Sequence, residues 1–269
     1  MTPVADPVRG VVRVVRVERD LTWRALDAGE VVGSAHAQQR PDRRWHLAID
    51  TWRADVHRTL LQAVIDDVRD DLYSTVDEAD EVALHEWSDS GFTVHRRETT
   101  YVLPTDPDVT GLREAMPPSG IDIVSAIAVP DEQLRHLDEL LRQDVPGSDG
   151  WINDPQEFRE YTFDPRHFDR ETYLVAVDQF TGVLLGLGRI WMGPHMPRLG
   201  LIGVVGGQRR RGLARALLGA ALLALHHRGV REIAAEADAT NAASTTLLGR
   251  LGARRTGGTV ELIRRRVQP

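Results

Sequence analysis

The same order of strands and helices is predicted twice along the chain, and this repetition constrains the fold more than any other feature of the sequence. In the first stretch, residues 23–103, an alternating strand passes through 29–33 and a second strand follows at 45–52. A helical pattern then covers 56–68, and a strand, a short helix and a last strand complete the stretch.

A second stretch repeats this order with similar spacing. It opens at 182–186 and continues with a strand at 199–205, a helix at 212–228, a strand at 232–237, a helix at 242–250 and a strand at 259–265. Asp80 precedes Gly91 by eleven residues, and Asn241 precedes Gly252 by the same eleven. The sequence therefore predicts two modules that share one α/β plan.

Residues 104–120 have the composition of a linker, with four Pro residues together with Gly and Asp. We therefore expect a first domain at 1–104, a linker at 105–120 and a second domain at 121–269. The second domain is longer because it contains an insert that the first lacks, a helical pattern at 131–144 followed by an irregular stretch.

Composition excludes several classes of protein. The sequence contains no Cys, which removes disulfides, thiolate metal sites and cysteine nucleophiles. A net charge of −7 argues against a nucleic-acid partner, and no apolar run approaches the roughly 18 residues that a membrane span needs. Residues 1–19 lack the continuous apolar segment of a signal peptide, so we expect a cytoplasmic protein. His226 and His227 lack the i, i+4 spacing of a helical metal site, and no metal is expected.

One segment, residues 202–218, combines the features of an anion-binding site. A buried strand ends at Val205, a basic turn with several glycines follows, and a strongly apolar helix begins near Gly212. Backbone N–H groups at a helix start have no partner within the helix and coordinate phosphate oxygens, while small residues let the backbone approach closely. Arginine side chains add charge-assisted hydrogen bonds to phosphate. The segment therefore predicts a phosphate-binding turn.

This turn differs from two common phosphate-binding motifs. The sequence contains no Lys, which a P-loop requires, and no Gly-x-Gly-x-x-Gly follows the strand. The run 209–214, Arg-Arg-Arg-Gly-Leu-Ala, instead resembles the Gln/Arg-x-x-Gly-x-Gly/Ala signature of the GNAT superfamily of N-acetyltransferases. Downstream, Asn241 followed by a short helix that ends in Leu251-Gly252 is similar to the next motif of the same family.

The resemblance implies a fold, a co-substrate and a set of site residues. Each module would be a mixed, mostly antiparallel sheet flanked by helices, an α/β fold of the α+β kind. The second sheet would open between its fourth and fifth strands to admit the pantetheine arm of acetyl-CoA, and no metal is implied. The residues that the resemblance assigns to coenzyme binding are Ile202, Gly203, Val204, Arg209, Arg210, Arg211, Gly212, Leu213, Ala214, Arg215 and Asn241. Glu236 occupies the position at which some members keep a general base.

The first module lacks the features of a coenzyme site. Its corresponding turn, 50–56, contains no glycine, holds Asp50 and Asp55, and includes the bulky Trp52. Because acidic side chains repel phosphate, we expect a degenerate copy without a working coenzyme site. A degenerate N-terminal module and an active C-terminal module make the tandem arrangement resemble the mycothiol synthase branch of the superfamily.

Two positions depart from the family's pattern, and the acceptor is left open. Leu248 stands where many relatives have a Tyr that protonates the leaving thiolate, and Ala253 stands where Phe usually follows the glycine. The stretch 149–169 contains six carboxylates, two Arg and five aromatic side chains, which suit a cationic amine. It is equally typical of a solvated loop packed on the first domain. The isolated His195 is a further candidate to face the acceptor.

These observations predict an acetyl-CoA-dependent N-acetyltransferase that acts on a primary amine of a small molecule. Two alternatives remain open, a protein N-terminal or lysine acetyltransferase and a non-catalytic coenzyme A binding module. Leu248 favours the second alternative, whereas the intact phosphate turn favours catalysis. We expect a monomer or a homodimer, with no nucleic-acid or membrane partner.

Overall fold

The computed structural model describes residues 11–17 and 21–266 of the chain. Residues 1–10 and 18–20, on which the signal-peptide prediction depends in part, lie outside the described residues. In the described ranges, no helix combines the length and the apolar character that crossing a membrane requires. The described chain forms two compact units. One contains the residues up to His95 together with those from Val260 onward, and the other is Arg96–Thr259.

The first unit is a mixed sheet with two helices. Its elements are β1 (Arg13–Arg16), β2 (Thr22–Asp27), β3 (Glu30–Gln39), β4 (Trp45–Asp50), α1 (Ala54–Val68), β5 (Leu72–Asp77) and α2 (Glu81–Asp89). Strands β1 to β4 pair antiparallel with their neighbours, and β4 and β5 are parallel. Helix α1 buries Val56, Leu60 and Val64 in an apolar cluster with Trp23 and Leu47. Their spacing of four residues places them on one face of the helix, as the sequence pattern predicts.

The second unit holds most of the remaining elements. They are β6 (Thr93–Pro104), α3 (Pro107–Thr110), β7 (Ile121–Ser125), α4 (Asp131–Arg142), α5 (Pro155–Thr162), β8 (Tyr173–Asp178), β9 (Leu184–Trp191), β10 (Arg198–Val204), α6 (Leu213–His227), β11 (Glu232–Asp238), α7 (Ala242–Arg250) and β12 (Arg254–Arg264). The strand order is β6-β11-β10-β9-β8-β7, and within it only β10 and β11 run parallel. A mixed, mostly antiparallel sheet flanked by helices confirms the predicted fold class.

The predicted helices agree closely with the observed ones, and the first strand of each repeat begins one or two residues later than predicted. Helix α7 coincides with the predicted 242–250, and α1, α4 and α6 differ from their predicted bounds by no more than two residues at either end. Strand β3 contains 30–33 of the strand predicted through 29–33, whereas Ala28 and Gly29, with φ of 51° and 91°, form the hairpin turn between β2 and β3. Gly182, with φ of 71°, likewise lies in a turn before β9. A short hairpin loop requires such left-handed residues.

The last strand of the first predicted module, β6, lies mostly in the second unit, and the last strand of the second predicted module, β12, ends in the first unit. Strand β6 pairs antiparallel with β11, from Pro104 opposite Glu232 to Glu98 opposite Asp238. The end of β12 belongs to the first unit, where Val260 is fully buried in the apolar cluster. The compact units therefore do not coincide with the predicted domains 1–104 and 121–269.

The predicted linker is an ordered part of the second unit. Thr105 donates its hydroxyl hydrogen to the carbonyl of Val230 at 2.6 Å, and Leu112 is buried in the apolar cluster that contains α6. Helix α3 begins with Asp106 as its N-cap and Pro107 at its first position. Both residue types are favoured at these positions, so the linker composition marks a helix start here.

A buried ion cluster joins α4 to β9. Asp138 is only 1% exposed, accepts a hydrogen bond from Arg142 Nε at 2.7 Å and lies with Oδ2 3.1 Å from Arg189 Nη1. The Arg189 guanidinium also lies 4.5 Å from the ring centroid of Trp191. Burial raises the pKa of Asp138, but the charges of Arg189 and Arg142 outweigh this effect and hold that pKa below its ordinary value. The cluster thus fixes α4 against the sheet.

Replacing Asp138 by Asn is expected to reduce the free energy of unfolding by about 3–5 kcal/mol, because two guanidinium groups stay buried without their counter-charge. Chemical denaturation of the full chain measures the change. The matched control is Asp131→Asn, which breaks an exposed ion pair with Arg159 and should cost less than about 1 kcal/mol.

This effect depends on pH in a defined direction. Because the pKa of Asp138 is lower in the folded protein, its contribution to stability is complete above the ordinary carboxyl pKa of about 3.9. The contribution is lost as pH falls through the folded-state value. Equal stability of the Asp138→Asn and Asp131→Asn proteins at pH 7 would contradict the role given to the cluster.

Candidate functional site

The sheet of the second unit opens between β10 and β11. These strands pair only at Arg198 opposite Ala234 and Leu199 opposite Ala235. On the other side of β10, the register with β9 shifts between Leu199 and Leu201. A bulge of this kind bends a strand and increases its twist, so β10 leaves β11 at its own bulge. Backbone groups of β10 beyond Leu199 that face the gap have no strand partner there, and they are free to bind a ligand.

Two glycines of β10 are required by close approaches. A Cβ at Gly200 would lie 2.5 Å from Trp191 Nε1, and a Cβ at Gly203 would lie 3.0 Å from a methyl group of Leu141 on α4. The lack of a side chain at Gly200 leaves room for Trp191 at the bulge. The lack of a side chain at Gly203 lets the end of α4 reach the gap. Gly203 therefore has a packing role in addition to the ligand contact that the sequence suggests.

The turn after β10 exposes an uncapped helix start. Gly212 has φ of 90° and precedes α6 as its N-cap residue, without a side-chain cap. The first N–H groups of α6 therefore have no capping partner, and the positive end of the helix dipole adds to their attraction for an anion. A Cβ at Gly212 would have nothing within 4 Å, so the space in front of the helix is open.

A cavity of about 430 Å³ lies between this turn, β10 and the start of α7. Of the eleven residues that the resemblance assigns to the coenzyme, ten line it: Ile202, Gly203, Val204, Arg209, Arg210, Gly212, Leu213, Ala214, Arg215 and Asn241. Arg211 is the exception and donates a hydrogen bond to Gln208 instead. The structure thus brings the strand, the turn and the second motif to one cavity.

The three arginines that line the cavity differ in their partners. Arg209 donates from Nε to the carbonyl of Val204 at 2.9 Å and from Nη2 to Asp144. Arg215 donates to a backbone carbonyl at 2.7 Å. Arg210 has φ of 62° and has no hydrogen-bond or ion-pair partner within residues 11–17 and 21–266. Arg210 is therefore the cation most available to a phosphate group.

Several lining residues were missed by the sequence analysis. Leu141, Asp144 and Val145 come from the end of α4 and the residues after it, and Ser244 and Leu247 come from α7. The α7 residues follow from the motif, because a helix that starts at the cavity must present its first turn to it. Nothing in the sequence of α4 indicates its contribution, which depends on the buried ion cluster.

Asn241 combines two roles. Its Oδ1 accepts a hydrogen bond from the Ser244 N–H at 3.0 Å, the usual contact of an N-cap residue. Its Nδ2 has no hydrogen-bond partner in the described part of the chain, and the residue lines the cavity. The asparagine of the motif therefore starts α7 and leaves an amide donor for a ligand.

Glu236 faces away from the apolar cluster of the second unit. Ile233, Ala235 and Ala237 are buried in that cluster, so strand alternation directs Glu236 to the opposite face of β11. Its Oε2 accepts a hydrogen bond from Arg198 Nη1 at 2.7 Å, and the residue does not line the cavity. A role as base requires an acceptor that approaches from this face and displaces Arg198.

The first unit repeats the gap between its parallel strands. Strands β4 and β5 pair only at Trp45 opposite Leu72 and His46 opposite Tyr73. A cavity of about 340 Å³, with Ser74 in its wall, lies at these strands. The equivalent parting of strands in both units supports the internal repeat.

The turn of the first unit is closed by an ion network. Arg53 donates to Asp27 at 2.7 Å and to Asp55 at 2.7 Å. The hydrogen bond from Arg53 lowers the pKa of Asp55 to about 2. Trp52, the bulky side chain of this turn, is 81% exposed. The closure therefore comes from Arg53 and its carboxylates, which occupy the helix start.

The acidic, aromatic stretch at 149–169 divides between core and surface. Phe158 is buried at 6% exposure in the apolar cluster around α4. Phe163 and Phe168 pack against the same cluster, with their ring centroids 5.1 Å apart. Tyr161, by contrast, is 65% exposed. Three of the five aromatic side chains thus serve packing within the second unit.

Two other candidate positions lie outside the cavity. Leu248 is 3% exposed and belongs to the apolar cluster that contains α6. His195 is exposed in the loop before β10 and does not line the cavity. Within the described ranges, no group of three or more His, Asp or Glu side chains is arranged to hold a metal.

Comparison with known proteins gives the family of the segment that contains this cavity. Residues 134–253 match the model of the acetyltransferase (GNAT) family. This segment of the chain is a domain of that family. A comparison with curated protein sequences gives no significant match.

Solved structures show the same fold over most of the chain. A GCN5-related N-acetyltransferase from Sphaerobacter thermophilus has a TM-score of 0.68 at 17% identity, with 93% of this chain and 82% of that chain covered. A tandem GNAT protein from the clavulanic acid biosynthesis pathway also has a TM-score of 0.68 at 17% identity, with 92% and 83% covered. A GCN5-related N-acetyltransferase from Kribbella flavida has a TM-score of 0.57 at 12% identity, with 94% and 89% covered. At these identities the likeness concerns the fold.

Proposed function

We propose that this chain is an acetyl-CoA-dependent N-acetyltransferase that acts on a primary amine of a small molecule. The observation that carries the proposal is one cavity that joins the gap after Leu199 to the open helix start at Gly212. Unpaired strand groups suit the amides of a pantetheine arm, and the helix start with Arg210 suits a pyrophosphate. The GNAT domain supports acyl transfer as the general chemistry.

Glu236 is the proposed base. An amine must lose a proton to form an amide, and a carboxylate within reach of the amine accepts it. Glu236 lies on the face of β11 opposite the apolar cluster, so the acceptor would approach from that face. Backbone N–H groups of β10 in the gap would polarise the thioester carbonyl. The acetyl group then moves from sulfur to nitrogen.

The first unit is proposed to bind no coenzyme. Its helix start is occupied by Arg53, whose charge is neutralised by Asp27 and Asp55. A pyrophosphate there would have to displace two carboxylates and would meet their negative charge. The chain is therefore proposed to have a single coenzyme site, in its second unit.

Calorimetry with acetyl-CoA is expected to give one site per chain, because only one of the two helix starts is open. Two equivalent sites per chain, or no binding at millimolar coenzyme, would refute this proposal. A coupled assay of thiol release over a panel of small amines then tests the transfer itself.

One observation favours a second function. Leu248 is part of the core, so the position at which many relatives carry a proton donor has none, and a non-catalytic coenzyme A binding module is the second candidate. Binding of acetyl-CoA without thiol release for any small amine or peptide would support that candidate. Release with peptides alone would favour a protein N-terminal or lysine acetyltransferase.

The cellular and partner assignments remain predictions from the sequence. They are a cytoplasmic location, a monomer or homodimer, the absence of nucleic-acid and membrane partners, and the relation of the tandem arrangement to mycothiol synthase.

A further inference from the structure

Transfer of an acetyl group from a thioester releases a thiolate, which must be stabilised where it forms. The relevant place is the closed end of the gap. If the pyrophosphate lies at the turn after Val204, the arm of the coenzyme runs into the gap, and the sulfur at its tip comes to the end where β10 and β11 meet. That end is defined by Leu199 and Ala235, the last residues paired between the two strands. Any group that stabilises the leaving thiolate must therefore lie near this pair.

Tyr101 lies in the same row of residues. On β6 it stands opposite Ala235, which is itself opposite Leu199 on β10. Residues paired across neighbouring strands project from the same face of a sheet. Consistent with this, Leu199, Ala235 and Tyr101 all pack in the apolar cluster that contains α6 and Leu248.

Tyr101 brings a hydroxyl group to this apolar cluster, against which its side chain packs. The neighbouring β11 residues on this face, Ala235 and Ala237, are small and leave room above the strand for an aromatic ring. Tyr101 is partly buried, and its hydroxyl has no hydrogen-bond partner in the described part of the chain. The hydroxyl is therefore available to a ligand.

We propose that Tyr101 is a catalytic residue that donates a hydrogen bond and then a proton to the leaving thiolate. This inference rests on the proposed transferase function. The amine nitrogen forms a bond to the carbonyl carbon, the carbon–sulfur bond breaks, and its electron pair goes to sulfur. Sulfur takes the phenol proton of Tyr101, the proton lost by the amine goes to Glu236, and exchange with water returns one proton to the phenolate. The products are an amide and a free thiol.

The two proposed proton transfers, from the amine to Glu236 and from Tyr101 to sulfur, take place on opposite faces of the sheet. Glu236 follows Ala235 on β11 and therefore projects from the opposite face to Tyr101. An acceptor amine on the Glu236 face and a leaving sulfur on the Tyr101 face occupy opposite sides of the reacting carbon. Tyr101 also explains how the chain can work with Leu248 in the core.

The test compares Tyr101→Phe with Tyr161→Phe, which removes a hydroxyl from an exposed ring on α5. Tyr101→Phe keeps the ring and its packing, so it is expected to leave the KM for acetyl-CoA unchanged and to lower kcat by roughly 10²-fold, the smaller end of positioned acid catalysis. Tyr161→Phe should match the wild type in each respect.

A second measurement needs no acceptor. The thiolate of bound coenzyme A is followed by its ultraviolet absorbance as pH is raised. A hydrogen bond from Tyr101 stabilises the thiolate, so the thiol should ionise about one to two pH units higher in Tyr101→Phe than in the wild type. A merely structural role would not move this titration.

The outcomes separate this inference from the proposed function. Wild-type protein that binds coenzyme A and transfers acetyl groups, with the same kcat and thiol titration in Tyr101→Phe, would overturn the role of Tyr101 alone. Wild-type protein that binds no coenzyme in calorimetry would overturn the proposed function, and the inference with it. A coenzyme-binding protein without transfer, but with the expected shift of the thiol titration, would place Tyr101 at the sulfur and overturn only its part in catalysis.

Discussion

Gly212→Asp is expected to abolish coenzyme binding while the chain stays folded. The substitution places a carboxylate in the open space before α6, where the pyrophosphate is proposed to bind. Like charges repel there, and the side chain also fills the volume that a phosphate needs. The strain of a non-glycine residue at φ of 90° costs roughly 1–2 kcal/mol, which a domain of ordinary stability survives. Calorimetry should detect no binding at millimolar acetyl-CoA.

The matched control is Gly249→Asp. Gly249 lies on α7, does not line the cavity, and a Cβ there would also have nothing within 4 Å. The same chemical change at this position should leave coenzyme affinity unaltered. Thermal unfolding of both proteins shows that each is folded. Wild-type affinity in Gly212→Asp would exclude the turn as the phosphate site.

Glu236→Gln is expected to lower turnover by roughly 10² to 10⁴ while coenzyme affinity is kept. Gln retains the shape of the side chain but does not accept the proton of an amine. Affinity should be unchanged because Glu236 does not line the cavity. Steady-state kinetics with an amine found in the panel, together with calorimetry, measure both quantities.

The pH profile and a control on the same strand sharpen this experiment. Without a base, the rate should follow the fraction of free amine and recover as pH rises toward the pKa of the acceptor, near 10 for a lysine-like amine. Glu232→Gln changes an exposed residue on the same face of β11 and should have wild-type turnover. Full turnover of Glu236→Gln at pH 7 would move the role to His195 or to the carboxylates of 149–169.

The two units share one plan of strands and helices but differ at the turn before the helix. Both keep the parting of their parallel strands after two paired positions. They differ at the helix start, where Arg210 has no partner among the described residues and Arg53 is held by two carboxylates. An internal counter-ion thus takes the place that a phosphate would need. The gap follows from the backbone, whereas the proposed difference in coenzyme binding depends on a few side chains at the turn.

The sequence by itself determined the features that are encoded by contiguous residues. The apolar periodicity of α1 and α6 marks their buried faces within single helices. The cavity beside the turn was largely predictable for the same reason. Most of its lining residues come from one segment, Ile202 through Arg215, in which the strand, the turn and the helix start follow one another. The role of Gly212 in the turn was predictable because only glycine readily adopts the φ of 90° that the turn requires.

Only the tertiary structure decided which distant residues share the site. The pairing of β6 with β11 places Tyr101 beside Ala235, although the two residues belong to different predicted domains. The packing of Leu141 on Gly203 and the ion pair of Glu236 with Arg198 were likewise not predictable from the sequence. Strand pairing, side-chain packing and ion pairing of this kind are stabilised by contacts between segments that are distant in the sequence. Such contacts produce no periodic or local pattern in the sequence.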